Sequence, residues 1–286
     1  MDYNLWDYNC IRRLLEPRGF NFSKSLGQNF LVDPDVCPAM AQLLDADEHT
    51  GVLEIGPGVG VLTKELCAVA GRVVSIELDE RLYPVLDETL ADCHNFTLVK
   101  GDAMKLNIRE IMNTYFADMD SVKVCANLPY YITSPILTML LESDLPIDEI
   151  EVMVQQEAAE RLTAPVGSRE GGAITVMVNY YGDARMIMQV PRESFYPSPK
   201  VDSAVIKIAM HRDNHYAVGD KRKFFSLVKA AFAQRRKTLV NSINATLGIP
   251  KDRITGALVQ LGLEPTIRAE KLVMEDFVNL ADLLMN

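Results

Sequence analysis

Val52-Leu53-Glu54-Ile55-Gly56-Pro57-Gly58-Val59-Gly60 runs from a short apolar stretch straight into three glycines spaced two apart. An apolar run of this length suits a strand buried on both faces. Glycines directly after it let the backbone turn tightly and approach a ligand closely. The pattern is GxGxG. A dinucleotide fingerprint needs GxGxxG, and the residue three past Gly58 is Val61, so the spacing disfavours NAD. No Gly-Lys-Ser/Thr follows, which excludes a P-loop. Glu54, ahead of the glycines, suits an ammonium group, met directly or through water, better than a pyrophosphate. The same turn also forms where no ligand binds.

Outward from this stretch, short β-branched runs recur: Arg72–Glu77, Phe96–Lys100, Val122–Ala126 and Glu151–Val154. Amphipathic segments such as Leu62–Ala70 and Glu80–Asp92 separate them. Strand alternating with helix predicts βαβ units in a Rossmann-like α/β sheet with helices on both faces. The runs end at Glu54, Glu77, Asp102 and Asn127, at spacings of 23, 25 and 25 residues, about one βα unit each. Ligands of such sheets bind at the carboxyl ends of the strands, so these polar side chains should converge on one crevice. Edge-like strands are expected around Ala173–Val178, Ala184–Val190 and Ser203–Met210. His211–Gly219 reads as a linker. Lys221–Phe232, Lys237–Leu247, Lys251–Leu261 and Met274–Leu284 then carry helical patterns, punctuated by Gly248-Ile249-Pro250 and Gly262-Leu263-Glu264-Pro265. The expected organisation is a catalytic domain over 1–210 and a small all-helical domain over 211–286.

Composition narrows the class. Of 286 residues, 48% are apolar and 24% charged, as in a globular chain with a substantial core. The five cysteines show no CxxC step and the four histidines do not cluster in sequence, so no metal site is expected. The amino terminus lacks a signal-peptide pattern and no apolar run reaches a membrane span, which predicts a cytoplasmic protein. A net charge of −10 argues against a polyanion partner as a single number. Residues 211–286, however, hold 12 Lys and Arg against 8 Asp and Glu, a balance of +4, which leaves −14 for the rest. The basic tail hints at a polyanion met locally.

Three motifs point to chemistry. Glu77 stands where a carboxylate accepts hydrogen bonds from both ribose hydroxyls of a bound nucleoside, although a residue near a helix N-terminus fits there too. Asp102, in Gly101-Asp102-Ala103, suits an adenine amine or a helix cap. Asn127-Leu128-Pro129-Tyr130 is the most specific. An adenine amine is a poor nucleophile because its lone pair is delocalised into the ring. Accepting its two N–H groups at the Asn127 side-chain oxygen and the Leu128 carbonyl favours a pyramidal nitrogen. Pro129 stiffens the turn, and Tyr130 offers a ring for a flipped base.

Over nearly its whole length the chain resembles the ribosomal RNA adenine N6-dimethyltransferases. The matching blocks are Ser25–Leu31, Glu54–Gly60, Glu77, Gly101–Ala103, Asn127–Tyr130, Phe195-Tyr196-Pro197-Ser198-Pro199-Lys200-Val201-Asp202-Ser203 and Ala230–Leu239. The resemblance implies S-adenosyl-L-methionine as methyl donor, held by Asn29, Leu31, Glu54, Gly56, Gly58, Glu77, Leu78, Asp102, Ala103 and Asn127. It implies that Phe195 stacks on the target adenine opposite Tyr130. The implied substrate is two adjacent adenosines in the 3′-terminal hairpin of 16S rRNA, each dimethylated within the small subunit or its precursor by a monomeric enzyme. Arg235, Arg236 and Lys237, with Lys221, Arg222 and Lys223, are then candidate phosphate contacts. Without the resemblance they fit a solvated helix end, and Phe195–Pro199 fits a rigid loop around a core aromatic.

Three other readings compete. A DNA adenine methyltransferase shares the amine chemistry, but no segment reads as a DNA target-recognition domain. An assembly factor without catalysis would not need an intact Asn127–Tyr130 motif. A dehydrogenase is disfavoured by the glycine spacing.

Overall fold

The computed structural model describes residues 3–20, 29–213 and 215–285. Residues 25–28 of the Ser25–Leu31 block therefore lie outside the described residues. The chain opens with α1 (Tyr8–Leu15), β1 (Phe30–Leu31) and α2 (Val36–Leu43). The alternating unit follows: β2 (Thr50–Ile55), α3 (Val61–Val69), β3 (Arg72–Glu77), α4 (Tyr83–Thr89), β4 (Phe96–Lys100), α5 (Ile108–Tyr115), β5 (Ser121–Asn127), α6 (Thr133–Glu142) and β6 (Glu149–Gln155). Then come α7 (Gln156–Leu162), α8 (Ala173–Tyr181), β7 (Gly182–Val190), β8 (Phe195–Tyr196) and β9 (Ser203–Met210). The chain ends in α9 (Lys221–Phe232), α10 (Leu239–Leu247), α11 (Lys251–Gln260) and α12 (Met274–Met285).

Seven strands form one sheet in the order β4-β3-β2-β5-β6-β9-β7. Strands β2 to β6 pair in parallel, and β9 enters antiparallel to β6. The chain lays β3 and β4 to one side of β2 and β5 and β6 to the other, so the strand order reverses between β2 and β5. Crevices form at such a switch point. Every residue of β2 is buried, as a strand covered on both faces requires. The described chain contains no helix long and apolar enough to cross a membrane.

The chain divides into two compact units, Met1–Ala159 with Arg185–Met210, and Glu160–Ala184 with His211–Asn286. Residues 160–184 thus group with the C-terminal helices, which differs from a boundary at 210. In the second unit α9 packs against α8, α10 and α12. Phe224 and Phe277 are fully enclosed there, and Phe232 stacks on Phe277 at 5.8 Å.

The strand expected at Ala173–Val178 is instead the helix α8. Ile174, Thr175, Val176 and Val178 favour a strand locally, yet a short apolar run cannot by itself distinguish strand from helix. Thr175 decides the outcome. Its hydroxyl accepts from the Gly172 amide at 2.9 Å and donates to the Arg161 carbonyl at 2.7 Å, closing the first turn. Tyr180 and Tyr181 then pack edge-on and face-on against Phe225, at 5.2 and 5.5 Å.

In the sheet unit, four ionisable side chains lie together beneath the surface. Lys207 on β9 sits 2.9 Å from Glu149 and 3.9 Å from Glu151, and donates to the Leu43 carbonyl at 2.5 Å. Lys123 on β5 donates to the Leu44 and Asp45 carbonyls at 2.6 and 2.8 Å. Both lysines thus satisfy carbonyls at the end of α2, where cations are favoured. Glu151 is fully buried, and neither carboxyl oxygen has a hydrogen-bond partner among the described residues. Burial pushes its pKa up to about 8, against the attraction of Lys207.

Above about pH 4.3 the unfolded chain releases this proton while the folded chain still holds it, so raising pH favours unfolding until about pH 8. The Tm advantage of Glu151→Gln over wild type should therefore grow from pH 5 to pH 8.5. Thermal melts showing a difference independent of pH would contradict a protonated Glu151.

Candidate active site

The turn leaving β2 builds the floor of the site. Gly56, Gly58 and Gly60 all adopt positive φ, at 76°, 61° and 91°. The Gly56 amide donates to the Ile76 carbonyl and the Gly60 amide to the Pro57 carbonyl, each at 2.9 Å. The Thr89 hydroxyl fixes the turn from outside through the Val59 carbonyl at 3.0 Å. Over this floor opens a cavity of about 530 Å³ at the carboxyl ends of β2, β3 and β5.

All residues expected at a cofactor or a base line this one cavity. Glu54, Gly56 and Gly58 come from β2 and its turn, and Glu77 and Leu78 from the end of β3. Asp102 and Ala103 follow β4, and Asn127 to Tyr130 follow β5. Asn29, Leu31 and Phe195 complete the lining. These last three arrive together because β1 and β8 form a two-stranded antiparallel sheet in which Leu31 faces Phe195. The Ser194 hydroxyl ties that pair to Asp33 at 2.7 Å.

The acidic groups differ in setting. Glu54 is 1% exposed, and its Oε2 accepts from the hydroxyls of Ser75 at 2.5 Å and Thr63 at 2.7 Å. Burial pushes its pKa up to about 7, opposed by those two hydrogen bonds. Glu77 accepts from the Asp79 amide at 2.7 Å, and burial likewise raises its pKa to about 7. Asp102 accepts from the Met104 amide at 2.9 Å and pairs with Lys105 at 3.4 Å. It caps its own turn while still facing the cavity.

At the end of β5 the geometry separates a free group from a fixed one. No described residue hydrogen-bonds the Asn127 carboxamide. Its neighbour Tyr130 is held by a 2.8 Å hydrogen bond between its hydroxyl and that of Ser203. The Pro129 carbonyl accepts from the Ile132 amide at 3.1 Å and the Thr133 hydroxyl at 3.3 Å, which locks the turn into α6. The Leu128 side chain is buried at 1% exposure, so only its backbone can serve a ligand.

Lys221, Arg222, Lys223, Arg235, Arg236 and Lys237 belong to the second unit and do not line this cavity. Arg235 to Lys237 lie in the turn between α9 and α10, not on a helix end, and are exposed there. None of these three has a carboxylate partner among the described residues. Lys221, Arg222 and Lys223 open α9, where Asp220 caps the Arg222 and Lys223 amides. Cations are unfavourable at a helix N-terminus, so helix stability does not explain them.

Sequence reasoning passed over Arg81, Met104 and Tyr131, which also line the cavity. Arg81 pairs with Asp79 and lies over the Phe20 ring at 4.4 Å. Tyr131 directly follows the Asn127–Tyr130 motif, and that adjacency was the one signal available.

The chain is similar to several known proteins. Residues 19–286 match the family model described as ribosomal RNA adenine dimethylase. The chain is 42% identical over 280 residues to ribosomal RNA small subunit methyltransferase A of Bacillus cereus, covering 97% of this chain and 96% of that protein. The same identity and coverage hold for the Bacillus mycoides protein of that name. Among solved structures, it superposes on a Plasmodium falciparum dimethyladenosine transferase with TM-score 0.69 and 25% identity, covering 87% of this chain and 95% of that one. For the 23S rRNA methyltransferase ErmE the values are 0.66 and 26%, covering 90% and 100%.

A Cβ at Gly56 would meet no heavy atom within 4 Å, so only the positive φ opposes a side chain there. Gly56→Ala should cost about 1–2 kcal/mol in urea unfolding, with an unchanged m-value. An unaltered stability would contradict the left-handed backbone at this turn.

Proposed function

The chain belongs to the ribosomal RNA adenine dimethylase family, and on that premise we propose that its cavity holds S-adenosyl-L-methionine beside a flipped adenosine of small-subunit 16S rRNA. The residues present fit such a donor. The glycine turn offers backbone without side chains, and Glu77 offers a buried carboxylate to ribose hydroxyls. Glu54, with its raised pKa, gains from a cation placed nearby. The sulfonium centre of the bound donor supplies an electrophilic methyl group.

The observation that carries the reading is the unpartnered Asn127 carboxamide beside a Tyr130 pinned to Ser203. Asn127 Oδ1 and the Leu128 carbonyl accept the two amine protons and hold the nitrogen lone pair towards the donor. Tyr130 stacks on one face of the base, and Phe195 closes the other. After one transfer a single N–H remains, still enough to orient the base for the second. The proton leaves to water, because the methylated nitrogen is acidic. Positioning supplies most of the rate.

The two adjacent adenosines of the 3′-terminal hairpin, within the subunit or its precursor, are the proposed targets. The relatives' name, small subunit methyltransferase A, supports this choice. We place the activity in the cytoplasm, with ribosome assembly. The sheet domain carries the chemistry, and the helical domain contacts RNA phosphates through Lys221, Arg222, Lys223, Arg235, Arg236 and Lys237.

Three outcomes test this. Asn127→Ala should lose on the order of 100-fold or more in single-turnover dimethylation of a precursor subunit, with an unchanged melting curve. Near-normal dimethyladenosine would refute the mechanism. Donor affinity in calorimetry should weaken as pH falls from 8 to 6, because binding favours ionised Glu77 and Glu54, and Glu77→Gln should reduce that dependence to the part Glu54 contributes. An equal pH dependence in both would remove Glu77 from the site. Finally, replacing Arg235, Arg236 and Lys237 by alanine should lower the salt slope of RNA binding by about 0.7–0.9 for each phosphate no longer neutralised. An unchanged slope would make that turn merely solvated.

A further inference from the structure

Tyr131 is 60% exposed, although it lines the cavity. Leaving a phenol ring this open is unusual when the adjacent Tyr130 is half-buried and hydrogen-bonded. Among the described residues the Tyr131 hydroxyl has no hydrogen bond and its ring has no aromatic or cationic neighbour. Its backbone is nevertheless fixed, since it lies inside the turn closed by the Ile132 amide on the Pro129 carbonyl at 3.1 Å. A rigid backbone thus presents a free aromatic face at the mouth of the pocket.

The proposed reaction creates a need for such a face. A base taken out of its stack leaves the next base in the strand with one uncovered side. Water covers a base face poorly, whereas an aromatic side chain does so whatever the base identity. The pocket for the flipped adenine lies against Tyr130, so the next nucleotide must pass within one residue of it. We propose that Tyr131 stacks on the nucleobase flanking the target adenosine. It thereby holds the strand in place and sets the preference for a stacked neighbour. The inference rests on the RNA-methylating reading above and deepens it.

The test uses small-subunit particles whose rRNA ends in a ligated synthetic 3′ segment. One set carries the intact sequence. Two others are scored at the 5′ adenosine of the pair alone, with an abasic nucleotide either on its 5′ side or in place of the adenosine on its 3′ side. With intact particles, Tyr131→Ala should raise KM by about 5- to 150-fold, the range that stacking on one base converts to. The kcat at saturation and the affinity for S-adenosylmethionine should stay at wild-type values, and Tyr131→Phe should restore KM. With one of the two abasic substrates, wild type and Tyr131→Ala should have the same KM, because no base remains to stack. A penalty of equal size on all three substrates would overturn the proposal and make Tyr131 a part of the pocket wall. So would an unchanged KM on intact particles. Failure of the wild-type protein to methylate intact particles would instead remove the parent reading.

Discussion

A parallel strand surrenders its neighbours at its carboxyl end, and β2, β3 and β5 surrender theirs at the same edge. The bend of β2 into α3 decides what that edge becomes. Gly56, Gly58 and Gly60 take the chain round with positive φ, a conformation that costs other residues about 1–2 kcal/mol each. Gly56 and Gly58 line the space above the sheet, whereas a Cβ at Gly60 would press on Leu90 and Thr89 at 3.1 and 3.2 Å. The cavity of about 530 Å³ is walled by the backbone of Gly56 and Gly58 and by side chains at the strand ends. Glu77, Asp102 and Asn127 face it because each stands at or just after a strand end, not because of any local preference of its own.

The electrostatics follow from the same placement. Two carboxyls, Glu54 and Glu77, sit where water is scarce, and both titrate near pH 7. Such groups favour a positively charged occupant over a phosphate, which accords with the sequence argument against NAD and P-loop ligands. The proposed reaction does not call for the acid–base groups found in many active sites. A methyl transfer to an amine asks for alignment and for acceptors of two N–H hydrogen bonds, and on the proposed reading the Asn127–Tyr130 turn supplies an acceptor, a locked backbone and a ring.

Much of this was legible in the sequence for a physical reason. A parallel sheet buries both faces of its strands, so Val52–Ile55, Arg72–Glu77 and their successors stand out as short apolar runs, and their ends fall at regular intervals. The four C-terminal helices were legible from periodicity and from glycine and proline punctuation. What failed or was missed depends on tertiary contacts. Ala173–Val178 has strand composition, but the Thr175 cap and the aromatic surface of α9 make it a helix. The pairing of Leu31 with Phe195 joins residues with no sequence relation. Cys67 and Cys93, distant in sequence, lie against each other, and burial with that contact raises the Cys67 thiol. Tyr131 carries only its adjacency to the Asn127–Tyr130 motif; its exposure beside a fixed Tyr130 is what distinguishes it.

The central claim is that the free carboxamide of Asn127 holds the adenine amine for two successive methyl transfers. Mass spectrometry of small-subunit rRNA from a strain lacking this chain, complemented by either form, tests it most directly. The wild-type chain should restore N6,N6-dimethyladenosine at two adjacent positions of the 3′-terminal hairpin, and Asn127→Ala, at equal abundance, should leave both unmodified. Dimethylation restored by Asn127→Ala, or absent with the wild-type chain, would contradict the account.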